Sequence, residues 1–385
     1  MQVSVVGGGI IGLASAYYLA ERGADVTLYE RGSLGSGSTE RSAGGIRAQF
    51  STPVNVELSL ASMEVWDTFE EDFDTDIAYR RAGYLFLARD HATAAQFEDN
   101  VAMQNDRGVP SRLLDPEEAT EHCPELHAEK FVAATYSPTD GFADPHLALQ
   151  GFATAAHEAG VEVRTKTPVT DIHREGDGEG RVTGLTADGE REETDYVVNA
   201  AGPWAGKVAE MAGVTLPVAP KRRQMLVVDP ETPVPENVPL TIDLDTGTHF
   251  RPEREGAALV GGHFDGPDPD ADPDAFSEKQ DLDWAVEAIE RAADCAGYFG
   301  PDSRIKRGWA GLYAVTPDHH PILEETVPGL VNNIGFSGHG FQHAPATGRI
   351  VTELIFDGEA SLVDISSLGS DRFEDGDLLE ERNVA

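Results

Sequence analysis

The first thirty residues constrain the chain most. Val3-Ser4-Val5-Val6 predicts a buried strand, Gly7-Gly8-Gly9-Ile10-Ile11-Gly12 a glycine turn entering a helix, and Val26-Thr27-Leu28-Tyr29-Glu30 a second strand. That order makes a βαβ unit suited to the pyrophosphate of a dinucleotide. Gly7 permits the tight turn, Gly9 lets the backbone approach the phosphates, and Gly12 lets the helix pack close to the strand. The helix N-terminus offers free N–H groups and positive dipole. Glu30 ends the second strand where a carboxylate accepts hydrogen bonds from ribose hydroxyls and repels a 2′-phosphate, which disfavours NADP.

A chain of 385 residues with 40% hydrophobic content predicts two domains and fills both cores. No fixed-period repeat is visible, which argues against a solenoid or propeller. Charge is extreme: 68 acids against 29 Lys and Arg give a formal −39, and the lysines are only 130, 166, 207, 221, 279 and 306. The acids are spread over the whole length, which points to a surface adapted to high ionic strength, where the Debye length falls to roughly 3 Å at 1 M salt. The expectation is a cytoplasmic protein of a salt-accumulating halophile, a poor partner for nucleic acid or anionic membranes. No signal peptide and no apolar run of the ~20 residues a membrane helix needs are visible. Cys123 and Cys295 lack CxxC spacing and read as buried small side chains.

Beyond the βαβ unit, the glycine- and serine-rich loop 32–39 leads into Glu40-Arg41-Ser42-Ala43-Gly44-Gly45-Ile46-Arg47, a backbone that runs close to something. Residues 54–73 read as a helix, 84–88 as a strand, Asp115-Pro116-Glu117-Glu118-Ala119 as a capped helix start, and Gly141-Phe142-Ala143-Asp144-Pro145 as the entry to a helix ending near Gly160. From Val161 the chain turns β-rich, through 161–164, 169–172, a polar turn at 176–180, and a strand at 196–199 running into Ala200-Ala201-Gly202. Proline- and aspartate-rich loops follow at 229–239 and 265–274; Asp268–Asp274 lacks the glycine and terminal Glu of a calcium loop and reads as solvated. The end of the chain repeats the opening scheme. A strand at 330–335, a turn at Phe336–Phe341 and a helix at 344–356 aim a second helix N-terminus at a ligand. His319-His320-Pro321 has no third ligand nearby, and no metal is expected.

These segments together resemble the D-amino-acid-oxidase-like superfamily of FAD enzymes. The resemblance rests on Gly7 to Gly12 with Glu30, on Gly141–Pro145, on Val198-Asn199-Ala200-Ala201-Gly202-Pro203-Trp204, on Gly311 to Pro321 and on Gly335-Phe336-Ser337-Gly338-His339-Gly340-Phe341. It implies an α/β chain, α+β overall, with a Rossmann-like FAD-binding domain and an inserted mixed-sheet substrate domain. The boundaries expected are 1–78, 145–215 and 303–385 for the discontinuous FAD-binding domain, and 79–144 and 216–302 for the substrate domain. Cofactor contacts implied are Gly7, Gly9, Ile10, Ile11, Gly12, Glu30, Arg31, Ser38, Thr39, Gly44, Gly45, Val169, Ala201, Gly202, Trp204, Gly311, Gly338, His339, Gly340, Phe341 and Gln342.

Within the superfamily, sarcosine-oxidase-like members grip the substrate carboxylate with an arginine where Arg47 stands, and a guanidinium fork suits a carboxylate. The Gly-Leu-Arg anchor of glycine and D-amino-acid oxidases is missing, because Gly311-Leu312 is followed by Tyr313. A second carboxylate-binding lysine is replaced by Gln342. The cysteine that links FAD covalently falls near Gly311, so the FAD is expected to be non-covalent. The lysine that assists oxygen reduction aligns near Leu259, which favours a dehydrogenase over an oxidase. Sarcosine- and proline-dehydrogenase-like chains, and sarcosine oxidase β-subunit-like members, look most similar.

The resemblance therefore implies oxidation of the C–N bond of a small secondary or N-methylated amino acid of the sarcosine, proline or dimethylglycine type, by hydride transfer to flavin N5, with the imine then hydrolysed. Arg47 and His339 are the expected catalytic residues, His339 through an ordinary pKa near ~6.5. Arg47, Tyr84, Phe250, Arg251, Tyr313 and Gln342 are expected to contact substrate, Arg251 as a second carboxylate candidate. The electron acceptor is unnamed, and a homo- or hetero-oligomer is compatible. The alternatives are a D-amino-acid or 2-hydroxy-acid dehydrogenase and a non-catalytic flavoprotein subunit or assembly factor.

Overall fold

The computed structural model describes residues 1–176, 180–264, 266, 268–376 and 378–384. The polar turn expected at 176–180 falls mostly outside the described residues, as do positions 265 and 267 of the aspartate-rich loop.

The opening unit forms as its pattern requires: strand Gln2–Val6, helix Ile10–Glu21 and strand Asp25–Glu30, the two strands parallel. They lie inside a six-stranded sheet ordered Ile322–Val327, Leu330–Ile334, Tyr196–Asn199, Gln2–Val6, Asp25–Glu30, Glu162–Thr165. Only the first pair is antiparallel. Parallel strands require crossover connections, and the long excursions between these strands supply them. Helix Ile10–Glu21 packs against Pro145–Glu158 and Gly340–Phe356. The last contact is close, since a Cβ at Gly348 would stand 2.9 Å from the carbonyl carbon of Ala14. Leu13, Leu19, Phe152 and Ile350 fill the core between these helices, each buried aliphatic or aromatic side chain contributing about 1.5–3 kcal/mol.

A second sheet has eight strands, ordered Arg304–Val315, Ala219–Asp229, Ala258–Gly262, Thr248–Pro252, Leu240–Asp243, Tyr84–Ala88, Ala133–Ser137, Arg112–Leu114. It is antiparallel except between Leu240–Asp243 and Tyr84–Ala88. One face carries a second core under helix Leu282–Cys295, where both cysteines are buried. Strand Arg304–Val315 falls in the part expected to belong with the cofactor, yet it is hydrogen-bonded into this sheet.

Three local expectations need adjustment. The helix read over 54–73 is two helices, Pro53–Asp67 and Phe69–Phe73, parted at Thr68. The last helix starts at Gly340 instead of Ala344. Ser337 (φ 50°) and Gly338 (φ 100°) complete the preceding turn in two residues, so Gly340 and Phe341 enter the helix. The loop Asp268–Asp274 is ion-paired, not merely solvated: Asp268 meets Arg223, Asp270 meets Lys221, and Asp274 meets Lys207 and Arg31. No helix among the described residues is long and apolar enough to cross a membrane.

Candidate active site

The sheet end of the βαβ unit opens on a cavity of about 700 Å³, within the range of small-molecule sites. Gly7 takes φ 117°, and a Cβ there would come within 2.4 Å of the Ala200 carbonyl oxygen. A Cβ at Gly12 would stand 1.9 Å from the Gly7 oxygen, so Gly12 supports the turn from beneath and does not line the cavity. Helix Ile10–Glu21 begins without a side-chain cap on Gly9 and without an acid in its first turn. The Ile10 N–H is taken by Thr39 Oγ1 at 3.1 Å, and the first turn itself contributes no carboxylate to offset the positive helix end. Glu30 lines the cavity while accepting the Gly8 and Gly32 N–H groups at 2.8 and 2.6 Å, which pins both glycine loops. Helix Gly340–Phe356 opens on the same cavity, again uncapped and without acid in its first turn.

The other wall comes from the eight-stranded sheet. Tyr84, Leu240, Ile242, His249 and Tyr313 reach the cavity from it. Gly45 accommodates the Tyr84 hydroxyl, which would lie 1.8 Å from a Cβ there, and Gly338 similarly admits the Tyr313 ring. Arg47 lines the cavity at 7% exposure. Its guanidinium lies 3.8 Å from the Phe50 ring centroid and donates to the carbonyls of Gln49 and Asn383. Among the described residues it makes no ion pair. Gln342 Oε1 accepts the Arg47 backbone N–H at 2.8 Å.

Burial governs the titration of the site. It lowers the Arg47 pKa, partly opposed by Tyr84, Glu381 and Asp140. It raises the tyrosine hydroxyls of Tyr84 and Tyr313, so both stay protonated. Asp140, wholly buried behind Arg47, is pushed up to about 6 by burial, against hydrogen bonds from the Ala48 N–H, Gln49 Nε2 and Ser137 Oγ. Burial brings His249 down to about 4 and His339 down to about 3.

A family model described as FAD dependent oxidoreductase (DAO) matches residues 2–354. The chain belongs to that family. It is 33% identical to FAD-dependent oxidoreductase domain-containing protein 1 of Xenopus laevis over 99% of this chain and 84% of that protein. It is 27% identical to sarcosine oxidase subunit beta of an Arthrobacter species, over 100% and 93%. Among solved structures, L-proline dehydrogenase of P. horikoshii superposes with a TM-score of 0.88 at 33% identity, covering 98% of each chain.

The cavity fits the FAD of this family. The glycine cradle leaves no room for side chains at Gly7 and Gly12, the two helix ends carry no acid in their first turns and suit anionic groups, and the buried Asn333 Oδ1 on the cavity wall has no partner among the described residues. Of the expected cofactor contacts, Gly7, Gly9, Ile10, Ile11, Glu30, Arg31, Ser38, Thr39, Gly45, Val169, Ala201, Gly202, Trp204 and Gly338 to Gln342 line the cavity. Gly44 and Gly311 do not. A Cβ at Gly44 would meet the Ala143 oxygen at 2.0 Å, and one at Gly311 would meet the Arg41 side chain, so both serve packing behind the wall.

Three expectations about the substrate side are corrected. Phe250 is 1% exposed and faces the second core, 5.2 Å from the Phe299 ring centroid. Successive strand residues face opposite sides, so His249 takes the cavity position. Arg251 is committed to the Ala43 carbonyl and, at 3.2 Å, to Glu253, and it does not line the cavity. His339 does not titrate near its ordinary value. Its Nε2–H donates to the His319 carbonyl at 2.9 Å, leaving Nδ1 to accept from His343 Nδ1–H, whose Nε2 in turn accepts from the Ser59 hydroxyl.

Sequence reasoning missed His249, Lys207, Asp274, Asn333 and Val384 on the cavity wall. Strand alternation next to Phe250 was a usable signal for His249. Nothing in the sequence signals Asp274, which accepts hydrogen bonds from Arg31, Trp204 and Lys207.

Proposed function

We propose that the chain oxidises the C–N bond of a small secondary or N-methylated amino acid, of the sarcosine, proline or dimethylglycine type, to an imine that water hydrolyses. One observation carries the reading. In a chain with 68 acids, the buried Arg47 on the cavity wall hydrogen-bonds only to neutral carbonyls, and its charge is unclaimed by any carboxylate contact among the described residues. An anionic ligand is the natural partner for such a group.

Bound non-covalently, FAD supplies the two-electron acceptor. Arg47 receives the substrate carboxylate and fixes the orientation of the amine. Tyr84, Tyr313 and the neutral His249 present polar atoms without charge, while Leu240 and Ile242 exclude water. Desolvation beside the Arg47 cation favours the neutral amine over the ammonium, since both effects disfavour a second positive charge. The neutral form is the one with an electron pair to give. Rate comes mainly from this positioning. The names of the relatives, sarcosine oxidase subunit beta and L-proline dehydrogenase, agree with a substrate that joins a carboxylate to a substituted amine.

In this reading the six-stranded part holds the cofactor and the eight-stranded part, including Arg304–Val315, covers the substrate. A dehydrogenase is favoured over an oxidase because Leu259 is buried against an apolar cluster with Met225, Val227 and Trp309, and brings no cation to the site. The test is anaerobic bleaching of the bound flavin in concentrated KCl by sarcosine, proline, N,N-dimethylglycine, glycine, D-alanine and 2-hydroxyglutarate. Bleaching by a substituted amine, unaffected by air only if a separate acceptor is needed, is the expected result. Bleaching by D-alanine or the hydroxy acid alone refutes it.

A further inference from the structure

The cavity wall is completed by a distant segment. Residues 381–384 run beside Arg47: the Asn383 carbonyl accepts from Arg47 Nη2, and Val384 lines the cavity. Their anchor is unusual. Glu381 is 0% exposed, and its carboxylate accepts from the Ser51 N–H at 2.7 Å, the Ser51 hydroxyl at 2.6 Å, Thr52 Oγ1 at 2.6 Å, Asn55 Nδ2 at 3.1 Å and the Asn383 N–H at 3.0 Å. A buried carboxylate is costly unless its lone pairs are satisfied, and here five donors satisfy them. Four of the five come from Ser51, Thr52 and Asn55 at the start of helix Pro53–Asp67, whose positive end is further suited to the charge.

Glu381 thus carries a buried negative charge near Arg47 without touching it. A direct salt bridge would use the guanidinium fork that a ligand needs. The arrangement spends only two donors, on the Gln49 and Asn383 carbonyls, and a guanidinium has five. The Asn383 side chain braces the same point, with Nδ2 donating to the Gln49 carbonyl at 3.2 Å.

We propose that Glu381 is the positioning residue for Arg47: through the Asn383 carbonyl it fixes the guanidinium against Phe50 and offsets its charge at one remove, leaving the remaining N–H groups for a substrate carboxylate. This rests on the carboxylate role given to Arg47 above. Neither Glu381 nor Asn383 lines the cavity, so a change at Glu381 acts on affinity through Arg47.

The test uses Glu381→Gln and Ser51→Ala in the full chain with FAD bound. Ser51→Ala is the milder variant, removing one donor to Glu381 and one acceptor for the Arg382 N–H. Two readouts are taken: labelling of Arg47 by phenylglyoxal, followed by peptide mass spectrometry, and the split between KM and kcat for the amine that bleaches the flavin. The expected result is faster Arg47 labelling in both variants and a KM raised about 10- to 100-fold with kcat within about threefold of the parent. Unchanged Arg47 labelling in both variants, at full flavin content, overturns the proposal, as does a fall in kcat at constant KM. Faster labelling with unchanged KM supports the hold on Arg47 and refutes instead its carboxylate role.

Discussion

Replacing Arg47 by Met separates ligand binding from folding. On the binding side, a carboxylate placed against the guanidinium in a buried site loses its charged partner, which costs about 2–5 kcal/mol, or roughly a 30- to 5,000-fold weaker affinity. On the folding side the terms oppose one another. The Asn383 carbonyl loses its Arg47 donor, at about 1–3 kcal/mol if left unsatisfied, whereas the Gln49 carbonyl keeps Asn383 Nδ2. Against this, the burial that lowers the Arg47 pKa is relieved, and a methionine covers Phe50 with similar apolar area. The variant is therefore expected to fold, hold FAD and lose affinity. Lysine at 47 restores charge without the fork and falls between the two. Affinity is read by titrating the flavin absorbance with the substrate or an unreactive carboxylate analogue under anaerobic conditions. Unchanged affinity at full flavin occupancy would refute the assignment, and loss of flavin with intact analogue binding would place Arg47 in cofactor retention instead.

Gly12→Ala drives a Cβ to 1.9 Å from the Gly7 oxygen; an overpacked backbone contact costs about 1–3 kcal/mol or more, so a lower melting temperature and reduced flavin content are expected, and a fully flavinated variant with parental melting would contradict the cradle. Asp140 has its folded pKa raised from an ordinary 3.8 to about 6 by burial, so the native state holds the proton more tightly than the unfolded chain, and its contribution to stability falls as pH rises through that window, by about 3 kcal/mol in all. Asp140→Asn lacks this slope, so urea melts of the pair at about pH 4.5 and about pH 7.5 should show the variant gaining on the parent at the higher pH; a constant difference refutes the shift. With a formal charge of −39, melting temperature should climb steeply between about 0.1 and about 1 M KCl as the Debye length contracts, and a flat curve would remove the high-salt reading.

The parts of this fold that were legible in sequence are those in which local pattern and tertiary role coincide. Gly7, Gly9 and Gly12 are spaced by the turn they make, and Glu30 by the strand it ends, so a cofactor half could be read from residues 3–30 alone. Long-range pairing was less accessible. Sequence alone points Phe250 and not His249 at the cavity, because the face of strand Thr248–Pro252 is set by its neighbours at Leu240–Asp243 and Ala258–Gly262, and a one-residue error reverses every side chain. The apolar stripe Ile350, Val351, Leu354 and Ile355 predicts the last helix only from Ala344, whereas it starts at Gly340 with Pro345 inside it. Sequence carries no burial, so it predicts an ordinary pKa for His339, which burial lowers to about 3. The strap at 381–384 left no trace at all, being built from an unremarkable Glu and Asn more than three hundred residues from Arg47.

The acid-rich surface and the cavity obey different electrostatic rules, and the substrate site depends on that difference. Several half-buried arginines are taken by carboxylates: Arg223 by Asp268, Arg372 by Asp318, Arg89 by Asp243. Arg47 escapes because the two acids nearest in field, Glu381 and Asp140, are themselves occupied by backbone and side-chain donors. Exposed pairs such as Arg22 with Asp357 weaken in molar salt, whereas buried charges are screened far less. Affinity for a carboxylate at Arg47 should therefore vary much less between about 1 and about 3 M KCl than the melting temperature does between low salt and about 1 M. A binding constant that fell with salt as a surface ion pair does would place the carboxylate outside the cavity, and with it the amine that Arg47 is proposed to orient.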